Sequence, residues 1–212
     1  IGGLVNTTFH ELQISKVAAS QFVTLLRSVA VDDTLTLTLG QLRLNSNSID
    51  INNGLASNTS TANPVGPITR TAGFIISENP IALVNWKNIG TTNGLRVVPF
   101  GNGAVVAPLY IPFSFQHTSG DLGNLSIATY NAPANLPWPP GVTHINNATT
   151  SANNAPATVD RFWMLSKTGP NPVADLVFRF TPTERAAGMG VFQQGRAQPW
   201  RSQAQGGGVN NA

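Results

Sequence analysis

The chain has no cysteine among its 212 residues, which excludes a disulfide framework, thiolate metal sites and thiol catalysis. Charged residues make up only 10% of the sequence, well below the roughly 25% of an ordinary soluble domain. The net charge of +3 is too small to indicate nucleic-acid binding. No apolar run reaches the roughly 18 residues of a membrane span, and no charged-then-apolar leader opens the chain. We therefore expect no membrane span, and a soluble or already processed segment.

Short bursts of alternating apolar and polar residues between Phe9 and Asn53 predict β strands. The apolar pairs recur every seven residues, but within each pair the spacing of two would place the side chains on different faces of a helix. The pairs are Leu35 and Leu37, Leu42 and Leu44, and Ile49 and Ile51. We interpret residues 1–60 as rungs of a short β-solenoid. An antiparallel meander is the alternative, since hairpins also place strands at short regular spacing.

Residues 61–202 contain longer strand candidates that alternate in the same way, separated by segments rich in turn formers. They predict an antiparallel, Ig-like β-sandwich, so the fold class is all-β. One candidate, residues 105–115, contains Pro108 and Pro112 and is therefore expected at an edge or as a bulged strand. Residues 203–212 include three consecutive glycines and no large apolar side chain, which indicates a flexible tail or linker.

No group of residues has the spacing of an active site or a metal site. His10, His117 and His144 are scattered, and each is interpreted as a surface or strand residue. Asp32 and Asp33 precede a predicted solenoid strand and give the best enzyme hypothesis, an acid or base acting on a polysaccharide. The preferred interpretation is an Asx turn, because no third acid or basic partner lies one rung away.

No cofactor is expected from these patterns. Asp121 and Asp160 have the oxygen ligands that calcium prefers, so a structural calcium is the alternative, although the spacing of a calcium loop is absent.

Aromatic residues supply the candidates for ligand or partner contact. Trp138 lies in a proline-rich loop that cannot form an interior strand, so we expect it to be exposed. Together with Tyr130 it could stack on a sugar ring. Trp163 alternates with apolar neighbours and is expected in the core. This set favours a carbohydrate-binding module as the alternative function, with a surface polysaccharide as its partner.

Five motifs resemble a known family. They occur in the order LTLTLGQLRLN (35–45), GFIISENP (73–80), PFG (99–101), YIPFSF (110–115) and DRFWML (160–165). In this order they resemble a repeated module of large secreted and cell-surface β-rich proteins of the Bacteroidetes that the type IX secretion system exports. The resemblance covers about residues 9–200.

The resemblance implies an extracellular or cell-surface adhesin or fibre module with no catalytic residues. It also implies that Thr34, within Asp33-Thr34-Leu35, is a candidate for O-glycosylation. A solenoid ends in an unpaired rung, so we expect it to pair with another copy or a neighbouring repeat. The sequence therefore predicts a structural or adhesive module that self-associates, and no enzyme.

Overall fold

The computed structural model describes residues 1, 3, 5–51, 67–91, 93–132 and 158–184, together with the backbone of four short strands beyond residue 145. The strands are β1 (Thr7–Ser15), β2 (Phe22–Thr24), β3 (Val29–Leu39), β4 (Gln41–Arg43), β5 (Ile49–Ile51), β6 (Ile68–Arg70), β7 (Phe74–Ile76), β8 (Val84–Trp86), β9 (Gly94–Val98), β10 (Phe113–Ser119), β11 (Leu125–Asn131), β12 (Asn146–Asn147), β13 (Thr150–Asn153), β14 (Arg161–Lys167), β15 (Val173–Val177), β16 (Trp200–Ser202) and β17 (Val209–Asn211).

The predicted all-β class is confirmed. Apart from strands, the described residues contain one 3₁₀ turn, Pro182–Glu184, and no α-helix. Within the same residues, no helix has the length and hydrophobicity needed to cross a membrane. The chain forms two compact units. The first contains Ile1–Asn131 and Phe162–Thr181, and the second contains Ala132–Arg161 and Pro182–Ala212.

The first eight strands pair in parallel and are divided between two sheets; the chain changes sheet after each strand except between β5 and β6, which lie in the same sheet. In one sheet β1 pairs with β3, β3 pairs with β5 and β6, and β5 pairs with β8. In the other sheet the order is β2, β4, β7. Parallel neighbours cannot be joined by a tight hairpin, and here the chain returns through a strand of the opposite sheet. Because every described pair among these strands is parallel, the antiparallel meander does not fit this part of the chain.

The seven-residue repeat of apolar side chains forms the core between these sheets. Leu35, Leu42 and Ile49 occupy three successive strands, β3, β4 and β5, and all three are fully buried. The corner between β4 and β5 has positive φ angles at Asn45 (51°) and Ser46 (63°), a conformation that asparagine adopts more easily than most residues. The seven-residue spacing therefore corresponds to one strand and one corner.

Polar side chains at corresponding positions of neighbouring parallel strands bind each other. The Ser48 hydroxyl donates to the Ser28 hydroxyl (3.1 Å), just before the paired residues Val29 and Ile49. Thr69 Oγ1 donates to Thr36 Oγ1 (3.0 Å) in the paired strands β6 and β3. Such contacts stabilise strand pairing by a few tenths of a kcal/mol to about 1 kcal/mol each.

Antiparallel strands complete the first unit. β11 pairs antiparallel with β8, and β14 lies next to β11 in the same sheet. A separate sheet has the order β15, β10, β9, with antiparallel pairs throughout. Its inner face contributes Phe113 and Phe115 to the core, and Trp86 of β8 meets the Phe115 ring edge-on at 5.6 Å.

The strand expected over residues 105–115 begins only at Phe113. Pro108 and Pro112 lack a backbone N–H for the ladder, so regular pairing begins after the second proline. Before it, the Asn102 side chain organises the turn, because its Oδ1 accepts hydrogen bonds from the backbone N–H groups of Leu109 (2.8 Å) and Ala104 (3.4 Å).

Strands beyond residue 60 join the sheets that begin before it. β6 pairs with β3, β7 with β4 and β8 with β5, so the parallel arrangement continues to Trp86. In the second unit, β12 pairs with β13, and β16 with β17. Of the expected tail, residues 203–208 and 212 lie outside the described residues, and the backbone of Val209–Asn211 forms β17.

Candidate functional site

The two predicted aromatic contact residues have different outcomes. Trp138 lies outside the described residues. Tyr130 lies on β11, and its half-buried ring stacks on the Phe162 ring with a centroid distance of 5.4 Å. Burial raises the pKa of the Tyr130 hydroxyl. One face of the Tyr130 ring is therefore covered by protein. Trp163 packs against the core as expected and is partly buried.

Thr34 lies on β3 and is partly exposed. Its strand neighbour Leu35 points into the core and is fully buried, so the Thr34 side chain faces outward. In the parallel pair, Thr34 lies opposite Glu11 of β1. The candidate O-glycosylation residue is therefore on the outer surface of the parallel strands.

Two consecutive residues of β1 meet a residue of β3 beside Thr34. His10 and Glu11 are exposed on β1, Asp33 is partly exposed on β3, and one ligating atom of each lies within 4.8 Å of the others. From the sequence, His10 is interpreted as an isolated surface or strand residue, and Asp33 as part of a turn before a strand. The predicted turn is wrong, because Asp33 lies within β3. Only the pairing of β1 with β3 brings them together. The signal in the sequence is two consecutive polar residues, His10 and Glu11, between the apolar Phe9 and Leu12, where strict alternation would allow only one.

The structure describes one of the two other histidines. His144 lies outside the described residues. His117 lies on β10, opposite Gly94 and Ala174 of the flanking strands, and only 1% of its surface is exposed. Neither ring nitrogen has a hydrogen-bond partner. His117 therefore occupies a core position, and its two buried ring nitrogens without hydrogen bonds lower the stability of the fold.

Replacing His117 with leucine is expected to raise the free energy of unfolding by about 1–3 kcal/mol, because it removes an unsatisfied buried polar group at similar volume. Chemical denaturation measures the change. The matched control is Gln116→Leu at the neighbouring exposed position, where a change within about 0.5 kcal/mol is expected. A loss of stability in His117→Leu would mean that the imidazole makes a favourable polar contact.

Arg96 is also buried in this sheet. It lies on β9 opposite Phe115, with no exposed surface. Its Nη1 donates to the Gly94 carbonyl at 3.2 Å, and the guanidinium lies 5.8 Å from the Phe115 ring centre. Desolvation lowers the pKa of the Arg96 guanidinium. The nearby ring and carbonyl compensate part of the cost of burial.

The two aspartates considered for calcium belong to different compact units. Asp121 accepts a hydrogen bond from the Gly123 N–H through Oδ1 at 2.7 Å, which is an Asx-type turn. Asp160 is buried, and its backbone N–H donates to the Glu184 carbonyl. Next to it, Arg161 forms a buried ion pair with Glu184 at 2.6 Å. Asp121 has a structural role in its turn, and Asp160 lies beside a buried ion pair.

The first strand of each parallel sheet pairs with one other strand among the described residues. β1 pairs there with β3 alone, and β2 with β4 alone. The end of β2 is also bonded by Ile1, whose terminal amine donates to the Thr24 carbonyl (2.7 Å) and whose carbonyl accepts from the Leu26 N–H (2.7 Å). Four apolar side chains that lie in or next to these two strands are exposed. We call β1, β2 and these four residues the open edge. They are Val5 (74%), Val17 (88%), Phe22 (46%) and Leu26 (68%).

A second apolar edge lies on the antiparallel sheet. β15 is at the end of its sheet, and Val173, Leu176 and Val177 on it are exposed. None of the residues of β15 is fully buried. This edge is the natural competitor of the open edge for any association through strands.

Comparison of the chain with protein-family models, curated proteins and solved structures gives no significant match.

Proposed function

We propose that the chain is an extracellular structural or adhesive module that self-associates, or stacks on neighbouring repeats, through its open edge. In this proposal β1–β8 form a short β-solenoid, and the antiparallel strands that follow form an Ig-like sandwich. The strands β1–β8 pair in parallel within two sheets between which the chain crosses repeatedly, and Ser28–Ser48 and Thr36–Thr69 are bonded at corresponding positions. Both observations support successive turns of a coil.

One observation carries the proposal: the core is covered less well at the open edge than one turn further on. Phe9, Leu12 and Val23 of β1 and β2 pack against the core but are only partly buried. Their paired neighbours Val31, Leu35 and Leu42 are fully buried. A further strand on each sheet would bury Phe9, Leu12 and Val23. They would then be covered as fully as Val31, Leu35 and Leu42 are now. The added strand would also pair the outer backbone edge of β1, and that of β2 once Ile1 is displaced from Thr24 and Leu26.

The proposed extracellular location is based on the resemblance and on the amino-acid composition. The modules that the sequence resembles belong to secreted and cell-surface proteins of adhesin or fibre type. A surface with few charges and no thiols agrees with an extracellular location. The proposal assigns no catalytic role to Asp32 or Asp33. A carbohydrate-binding function rests on Trp138, outside the described residues, and on Tyr130, which is covered on one face.

Sedimentation velocity over a concentration series, from micromolar to hundreds of micromolar, tests the proposal. We expect the mean sedimentation coefficient to rise with concentration and to fall again on dilution, as for a reversible interface. Electron microscopy of the concentrated sample distinguishes fibres from closed oligomers. A chain that stays a dispersed monomer over the whole range would contradict self-association.

A further inference from the structure

We propose that His10, Glu11 and Asp33 bind a divalent first-row transition-metal ion, with Zn²⁺ as the representative, on the outer surface of β1 and β3. The imidazole and the two carboxylates each present one ligating atom, and these three atoms lie within 4.8 Å of one another. The inference is independent of the proposed self-association.

The register of the two strands explains why these side chains meet. Phe9 pairs with Val31, but the next paired residues are Glu11 and Thr34, so β3 carries one more residue than β1 over this interval. At the same level alternation is interrupted on both strands. On β1 the inward residues Phe9 and Leu12 are three apart instead of two. On β3 Asp33, midway between the inward residues Val31 and Leu35, is partly exposed where regular alternation would bury it.

The result is an outward-facing cluster that regular strands would not form. Two consecutive residues of β1, His10 and Glu11, are both exposed, although neighbours on a regular strand point to opposite faces. On β3 the interval between the inward residues holds Asp32, Asp33 and Thr34, all partly exposed. An irregularity of this kind re-aims side chains and is often found at functional sites.

The set of donors determines which ions fit. A single imidazole with two carboxylates suits Zn²⁺ and its neighbours in the first transition row, whereas Ca²⁺ prefers oxygen ligands alone. Two carboxylates also neutralise the charge of one divalent ion. Ligands of Zn²⁺ lie at about 2.0–2.2 Å from the metal. The exposed His10 and Glu11 side chains are free to rotate toward Asp33 and reach such distances, and water would complete the coordination.

Metal binding would join the first strand of the sheet to the second. β1 pairs with β3 alone among the described residues, and two of the ligands lie on β1 while the third lies on β3. An ion held by both strands would stabilise the folded state, because it binds the native arrangement and not the unfolded chain. We therefore expect Zn²⁺ to raise the thermal midpoint of the chain.

Isothermal titration of the tag-free chain with Zn²⁺, at a concentration where sedimentation finds monomers, tests the proposal. We expect one ion per chain and an affinity that falls at least tenfold in each of His10→Gln, Glu11→Gln and Asp33→Asn. His144→Gln is the matched control for the imidazole, and Asp175→Asn, an exposed carboxylate on β15, is the control for charge. Both should bind as the unaltered chain does.

Two results would overturn the proposal. One is no binding by the unaltered chain, or binding that His10→Gln leaves unchanged. The other is Ca²⁺ binding as tightly as Zn²⁺ with no effect of His10→Gln, which would identify a site of oxygen ligands elsewhere. Co²⁺ gives a separate readout, because nitrogen coordination changes its visible absorption, and that change should be absent in His10→Gln and present in His144→Gln.

Discussion

Replacing Val17 and Leu26 with lysine together is expected to weaken self-association about 100-fold. Both residues are exposed, at 88% and 68%, and each follows the end of a strand of the open edge, β1 or β2. Burial of a full aliphatic side chain is worth about 1.5 kcal/mol or more, so two lost contacts amount to about 3 kcal/mol, or two orders of magnitude in affinity. The added charges oppose desolvation further. Sedimentation velocity measures the shift in the association midpoint.

The matched control for this variant is Val106→Lys. Val106 is also 88% exposed, but it lies in the segment before β10 and is not one of the residues of the open edge. We expect it to associate as the unaltered chain does. If Val106→Lys and the double variant weaken association equally, the effect is a general consequence of added charge and the open edge is not the interface.

Gly169→Ala is expected to lower the free energy of unfolding by about 3 kcal/mol or more, at the upper end of the cost of overpacking. A β-carbon at Gly169 would overlap the carbonyl oxygen of Asp121 and would lie 2.6 Å from the Gly123 nitrogen. These are backbone atoms, so no side-chain rotation relieves the overlap. Two hydrogen bonds hold these backbone segments close together. Gly169 N–H donates to the Leu122 carbonyl and Thr168 N–H donates to the Asn124 carbonyl, both at 3.1 Å.

Gly90→Ala separates this overlap from backbone strain. Gly90 has a positive φ of 56°, and a β-carbon there would meet nothing within 4 Å. Its cost should be only the left-handed conformation, about 1–2 kcal/mol. Chemical denaturation of both variants measures the difference. Equal losses would mean that residues 121–123 can move away from Gly169 without cost.

The core of the first unit could be predicted from the sequence because its periodicity is local. Leu35, Leu42 and Ile49 repeat every seven residues, and all three are fully buried on successive strands. The same pattern could not decide between parallel and antiparallel pairing, because alternation fixes which face a residue occupies and not which strand lies beside it. Polar contacts such as Ser28–Ser48 appear only once the strands are paired.

The cluster of His10, Glu11 and Asp33 could not be predicted, since it depends on one extra residue in β3 relative to β1. The burial of Arg96 and His117 could not be predicted from the sequence either. Their residue types are common on surfaces, and only the position of β9 and β10 over the core brings them inside. The alternation of apolar and polar residues therefore predicts the class of fold but not its polar interior.

Hydrogen exchange measured by mass spectrometry, below and above the association midpoint, tests most directly whether the open edge is the interface. Backbone amides that enter a strand pair become protected. The account predicts that protection increases with concentration in peptides covering β1 and β2, at residues 7–15 and 22–24, while β15 exchanges at the same rate throughout. Unchanged exchange in β1 and β2, or protection gained by β15 in their place, would contradict it.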